Sequence, residues 1–393
     1  MSPVAAGVAG FIALLGAAVV IAILARRLRI PAAVALVAVG AFVQVPPPFA
    51  FGDTLLFVFL PPLIFEAAWN LDLGSLRRMA GRIALLALPG TLATAFAIAG
   101  CLVLTQVLPF AQALLFGAIV AATDPVAVVS AFRNVPVPLD LKTLVEGESL
   151  SNDGVALVLF GFALALASGA AVSLGGDVLS GVVEVVGGCA LGAVAALVCA
   201  GVLRTTDAAE YEVTVTIVLA YGAYVGASAL GWSGIFATAA SAIVLRAAVV
   251  RLPGAIDNAE TVDRVWEAAA FIANAAVFLA TGLLIEPARI IHEPLLVAVA
   301  VASVWLTRAL LALAATRDAA GRITTFLAGM RGALPLALAL SLPEGLAYRP
   351  QIIDATFAVV LATIVLQGVP LETILRRLYG ATRTPATPQR TEG

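Results

Sequence analysis

From Glu146 to Phe160 the chain reads EGESLSNDGVALVLF, with three carboxylates, two serines and an asparagine running straight into a long apolar segment. Asp153 lies eleven positions after Lys142, the last basic residue before that segment. At a helical rise of ~1.5 Å per residue this is ~16 Å, about half of a ~30 Å hydrocarbon core. A carboxylate at that depth costs roughly 2.5–3.5 kcal/mol on insertion scales, so it is rare without a partner, a water-filled cavity or a function. The chemistry indicated is an ion or proton site inside a membrane. On a helix, Ser149 and Asp153 share one stripe, and Glu148 and Asn152 share the neighbouring stripe. The first stripe supplies a hydroxyl and a carboxylate, oxygen ligands suited to a hard monovalent cation. The second is free to face a structural partner.

Two other apolar segments carry charge at a similar depth. ATDPVAVV holds Thr123, Asp124 and Pro125, with Asp124 nine residues before Arg133. Pro125 lacks an amide hydrogen and disfavours helix at the residue before it, so the helix should break at Asp124. LAGMRGALPLALAL holds Arg331 among the breakers Gly329, Gly332 and Pro335, nine residues after Arg322. Both charges lie ~14 Å from the basic edge of their segment. Arg331 is therefore the expected cation opposite the Glu148–Asn152 stripe. Broken helices are tolerated in a bilayer only where the freed backbone faces protein or water. Such a pair in the two halves of a chain points to an inverted-repeat transporter with its site at the crossing.

The elements that must position these residues are membrane helices. Hydrophobic residues make up 62% of the 393-residue chain and charged residues 12%, against about a quarter charged in an ordinary soluble domain. Only Lys142 and His292 represent lysine and histidine, which argues against zinc sites and Ser-His-Asp triads, and a net charge of −2 suggests no nucleic-acid partner. No enzyme, resident metal or cofactor is expected. Cys101, Cys189 and Cys199 read as buried small hydrophobes within apolar runs.

Thirteen apolar segments are expected, at 4–25, 31–45, 53–69, 83–107, 110–132, 143–170, 177–203, 212–230, 233–250, 266–285, 294–316, 323–342 and 351–374. Of the 22 basic residues, eighteen follow odd-numbered segments or lie in the tail; only Arg289 and Arg349 follow even-numbered ones. The positive-inside rule then places the N-terminus outside and the C-terminus in the cytoplasm. The first segment is preceded by no basic residue, against a cleaved signal peptide. Residues 380–393 read as a disordered cytoplasmic tail, and the predominance of arginine over lysine points to a bacterium of high G+C content.

FLPPLIFEAAW (59–69), GAIVAATDPVAVV (117–129), LVEGESLSNDGVALVLF (144–160) and AGMRGALPLALALSLP (328–343) resemble signature stretches of the monovalent cation:proton antiporters, the sodium/proton exchanger family in its prokaryotic branch. The resemblance implies an all-α polytopic fold of about thirteen transmembrane helices, an inverted repeat with two interrupted crossing helices, a homodimer and elevator-like alternating access. It implies one transporter domain over 1–379, with a core around the helices at 83–170 and 294–374. The dimerisation region would then lie around those at 4–69 and 177–285. It makes Asp153 the carboxylate that binds Na+ (or Li+) and H+. Asp124, Ser149 and the Thr123 carbonyl become further ligands, and Glu66 reaches the ion through water. It pairs Glu148 with Arg331 and gives Asn152 a role in ordering the site. Ser151 and Pro335 depart from the family pattern, without touching a proposed ligand.

One titrating carboxylate can be neutralised by a proton or by a cation, not by both. If only neutralised forms cross between inward- and outward-facing states, obligatory exchange follows. The Asn152–Asp153 pair, in place of two aspartates, suggests one cation for one proton and hence electroneutral transport. Potassium in place of sodium is the alternative substrate, and a cation channel the rival class. Asp124 can equally cap a broken helix end. Glu66 can equally be a solvated funnel charge beside an interfacial Trp69. Arg308, nine residues before Arg317, is expected to meet a helix C-terminus or an acid. Glu184 has no nearby motif, and His292 reads as a solvated loop residue.

Overall fold

A backbone in lipid must satisfy its own hydrogen bonds, which leaves apolar segments of this length little choice but helix. The computed structural model describes residues 3–28, 32–43, 55–124, 128, 131–132, 135–169, 174–251, 256, 258–284 and 293–380. Pro125, Arg29, Arg133, Arg289, His292 and the tail beyond Gly380 lie outside the described residues.

The first helices are α1 (Pro3–Leu28), α2 (Ala32–Val43), α3 (Leu60–Trp69, entered through a π turn) and α4 (Leu73–Leu104). Next come α5 (Phe110–Ala121), α6 (Leu139–Ala167), α7 (Leu174–Leu203), α8 (Ala209–Ala229) and α9 (Gly234–Arg251). The chain continues through α10 (Ala259–Leu284), α11 (Pro294–Ala315), α12 (Ala319–Leu327), α13 (Ala333–Leu340) and α14 (Arg349–Tyr379). Among the described residues, eight helices are long and apolar enough to cross a membrane. Large apolar side chains such as Val182, Val186 and Val194 on α7, and Leu306, Leu310 and Leu313 on α11, are exposed. That is the surface a lipid-embedded protein presents.

Helix α4 begins ten residues before the expected start at 83. Its first turns carry Arg77, Arg78 and Arg82, which lower the local hydropathy without interrupting the helix. Asp72 caps this end by accepting the Ser75 amide at 2.7 Å. Near the other side of the fold, Gly40 of α2 faces Gly282 of α10 so closely that a Cβ on Gly40 would stand 2.6 Å from the Leu279 carbonyl. Small residues at such contacts let helix backbones approach without a side chain between them.

The main core joins α3 to α11 with α13 and α14. Within it Phe65 stacks on Trp266 at 4.3 Å and on Trp69 at 5.9 Å. Trp69 is fully buried, not the interfacial anchor expected for it. Its indole nitrogen donates to Asp263 at 2.6 Å and Arg246 lies over its ring at 4.9 Å, so its polar edge is satisfied inside the protein.

Candidate functional site

Helix α5 ends at Ala121 because the chain turns extended at Ala122 (ψ 139°), two residues ahead of the Asp-Pro pair. The second interruption lies at 328–332, between α12 and α13. Pro335 is not one of its breakers. It occupies the first turn of α13, where an amide would have no intrahelical partner, so its ring costs little. The break instead centres on Gly329 to Gly332.

The two interrupted segments meet backbone to backbone, the amide of Asp124 donating to the Met330 carbonyl at 2.9 Å. Each then supplies a charge to the other's exposed helix end. The buried Arg331 donates through Nη1 to the carbonyls of Ala121 and Ala122, at 3.1 and 3.2 Å. Those carbonyls form the partly negative C-terminus of α5. Asp124 in turn packs against Gly332, the residue that caps the N-terminus of α13, in space a Cβ would occupy. A carboxylate there faces the partly positive end of that helix. Thr363 of α14 steadies the break by accepting the Arg331 amide at 3.1 Å.

Helix α6 closes the site from one side. Ser149 donates to the Thr123 carbonyl at 2.7 Å, and the Thr123 hydroxyl donates back to the Ser149 Oγ at 3.0 Å. Asn152 uses both ends of its amide on the same residue. Its Nδ2 donates to Thr123 Oγ1 at 2.8 Å, and its Oδ1 accepts the Thr123 amide at 3.2 Å. Ser149 and Asn152, three apart, therefore act together as a clamp on the extended strand. Their expected division between two stripes does not survive: the unwound Thr123 presents an amide, a carbonyl and a hydroxyl over a width that both can reach.

The expected Glu148–Arg331 bridge is corrected by the structure. Glu148 forms a bidentate ion pair with Arg308 of α11, at 2.6 and 3.0 Å, and both residues are buried. Arg308 also donates through Nε to the Thr325 carbonyl at 2.9 Å, near the end of α12. The acid and the helix C-terminus expected for Arg308 are thus both present. Arg331 is instead engaged through Nη1 by the α5 carbonyls. Depth alone could not separate the two arginines, since both lie nine residues from a basic edge.

Asp153 is half-buried, one position beyond the Asn152 clamp, and its Oδ1 is shielded without a hydrogen-bond partner. Buried polar atoms are nearly always paired, so this oxygen, like the Nε of the nearby Arg331, calls for an explanation. Glu66, near the end of α3, is partly exposed and receives the Asn70 side-chain amide at 2.8 Å. Thr363 and Met330 carried no signal of their part in the sequence. Gly332 carried a signal as a breaker; the others became visible only through the crossing.

The transmembrane profile of the sodium/hydrogen exchanger family matches residues 13–377. The Na(+)/H(+) antiporter ApNhaP of Aphanothece halophytica is 33% identical over 364 residues, covering 89% of this chain and 70% of that protein. The Na(+)/H(+) antiporter NhaP of Pseudomonas aeruginosa is 34% identical over 349 residues, covering 84% and 82%. The solved structure of the sodium proton antiporter MjNhaP1 from Methanocaldococcus jannaschii superposes with a TM-score of 0.79 at 20% identity, covering 96% of this chain and all of that one. That likeness carries the fold, an all-helical antiporter architecture.

Proposed function

The chain belongs to the sodium/hydrogen exchanger family, and from that premise we propose that it exchanges one Na+ (or Li+) for one H+ at Asp153 by alternating access. The observation that carries this reading is the unpartnered Asp153 Oδ1 beside charges that already have partners: Glu148 with Arg308, and Arg331 with the end of α5. A carboxylate so placed is neutralised by whichever of cation or proton arrives, and each excludes the other. Carrying a bare carboxylate through the apolar barrier is costly, so only the loaded forms exchange sides. Asp124, Ser149 and Thr123 supply the remaining oxygens, Asn152 holds the strand, and Glu66 stands on the approach.

The orientation with the N-terminus outside and the C-terminus in the cytoplasm of a bacterial inner membrane is supported by the eighteen-to-two distribution of basic residues. A homodimer formed through the helices at 4–69 and 177–285 belongs to the same proposal. So does a transport core at 83–170 and 294–374. A channel is disfavoured because Arg331 and the broken backbones plug the centre of the crossing.

Proteoliposomes with a trapped pH dye test the reading. Added Na+ or Li+ should collapse an imposed proton gradient, with no dependence on membrane potential. Asp153→Asn should abolish the response. Exchange retained in that variant overturns the assignment of Asp153, a dependence on potential overturns the one-for-one ratio, and a response to K+ alone makes potassium the substrate.

A further inference from the structure

Glu184, on α7, belongs to neither the crossing nor any of the motifs above. Its carboxylate is half-buried and, among the described residues, has no hydrogen bond or ion pair. It opens into a cavity of about 310 Å³ lined by Leu157, Glu184, Tyr224, Ser228, Trp232 and Ser233. The walls are thus α6, α7, α8 and the turn joining α8 to α9.

Helix lengths set the depth of this cavity. The Ser233 amide donates to the Glu184 carbonyl at 2.9 Å, so Glu184 stands level with the α8–α9 turn. Helix α8 has 21 residues, or ~31 Å at the helical rise, which places that turn at the edge of a ~30 Å hydrocarbon core. The run from Glu184 to Leu203, where α7 ends, is ~29 Å by the same rise and leads to the same level. Trp232 fits such a boundary, where indoles concentrate. Glu184 is therefore a carboxylate at headgroup depth, facing a cavity much larger than a bare monovalent ion would need.

We propose that this cavity binds the primary ammonium headgroup of an aminophospholipid. Glu184 supplies the counter-charge. Ser228 Oγ spends its hydrogen on the Tyr224 carbonyl at 2.8 Å, leaving its lone pairs to accept from an ammonium. Trp232 is packed toward Gly187, where a Cβ would stand 2.5 Å from the indole ring. With that side of the ring covered, Trp232 does not offer both faces to a quaternary ammonium. Recognition then rests on N–H donation to the carboxylate and hydroxyl, which selects a primary amine over a trimethylated one. The exposed Val186, Val194 and Leu197, on the stretch of α7 that runs from Glu184 into the bilayer, offer the acyl chains an apolar path, favouring a lipid over a soluble amine.

Native mass spectrometry of the full chain in detergent, with phosphatidylethanolamine, phosphatidylcholine and phosphatidylglycerol supplied in equal amounts, tests this. Phosphatidylethanolamine should be retained about tenfold over phosphatidylcholine, the factor that ~1.4 kcal/mol of charge-assisted hydrogen bonding supplies. Glu184→Gln should remove the preference. Ser228→Ala, which changes a hydroxyl bonded only to its own helix, should weaken it and serves if Glu184→Gln does not fold. Equal retention of the two zwitterionic lipids overturns the proposal, as does a preference that survives both substitutions. Displacement of the lipid by equimolar free ethanolamine overturns the lipid as occupant.

Discussion

Asp153 and Glu148 lie five residues apart on one helix and have opposite situations. Glu148 is locked in a bidentate pair with Arg308 at 2.6 Å, whereas Asp153 keeps an unpaired oxygen. Removing one partner of a buried pair leaves an uncompensated charge, typically costing ~3–5 kcal/mol. Arg308→Met and Glu148→Gln should each lower the apparent melting temperature in detergent by many degrees, and the double substitution should recover part of the loss. A double-mutant cycle of Glu148 with Arg331 should show much weaker coupling than one with Arg308. The reverse order would restore the bridge expected from sequence. Asp153→Asn should leave thermal stability unchanged or improved, because it removes the unpaired charge while keeping the shape.

Elements, not single residues, set up the crossing. Arg331 serves the end of α5 and Asp124 the start of α13, so each broken helix is completed by a side chain from the other. Gly332→Ala would place a methyl in the volume of the Asp124 side chain. Overpacking of this kind costs ~1–3 kcal/mol, and exchange activity should fall further than stability does, since Asp124 is pushed from its place. Activity equal to the parent protein would show that Asp124 is dispensable. At the start of α4 the Ser75 amide, bonded to Asp72, holds that carboxyl below its ordinary value of 3.8. A carboxylate depressed in the folded state contributes stability above its unfolded value near ~3.9. That contribution is lost as pH falls through the lower folded value. Asp72→Ala should cost ~1 kcal/mol at neutral pH, and the deficit should shrink below about pH 4 as the parent cap is itself protonated. An unchanged deficit at low pH would remove the charged cap as its cause.

For the whole molecule, the distribution of arginine predicts which loops face the cytoplasm. In a background with Cys101, Cys189 and Cys199 replaced, Ser168→Cys after α6 should react with an impermeant maleimide added outside intact cells. Thr206→Cys after α7 should react only after permeabilisation. The opposite pattern would invert the molecule in the membrane and, with it, the sides on which Glu66 and the Glu184 cavity lie.

Much of this architecture was legible without coordinates, because lipid makes strong local demands. A carboxylate in an apolar run, a proline after an aspartate and a cluster of glycines around an arginine are each costly in a bilayer. Their presence marks the membrane class, the two interruptions and the motif residues Thr123, Asp124, Ser149, Asn152, Asp153 and Arg331. Spacing along a helix, however, fixes only depth and face. It cannot say which of two arginines at equal depth reaches Glu148, because that depends on how α6, α11 and the crossing pack. Nor could it show Ser149 and Asn152 closing on a single unwound residue, Trp69 buried against Phe65, or the cavity beside Glu184. Those are relations between helices far apart in sequence, and only tertiary packing decides them.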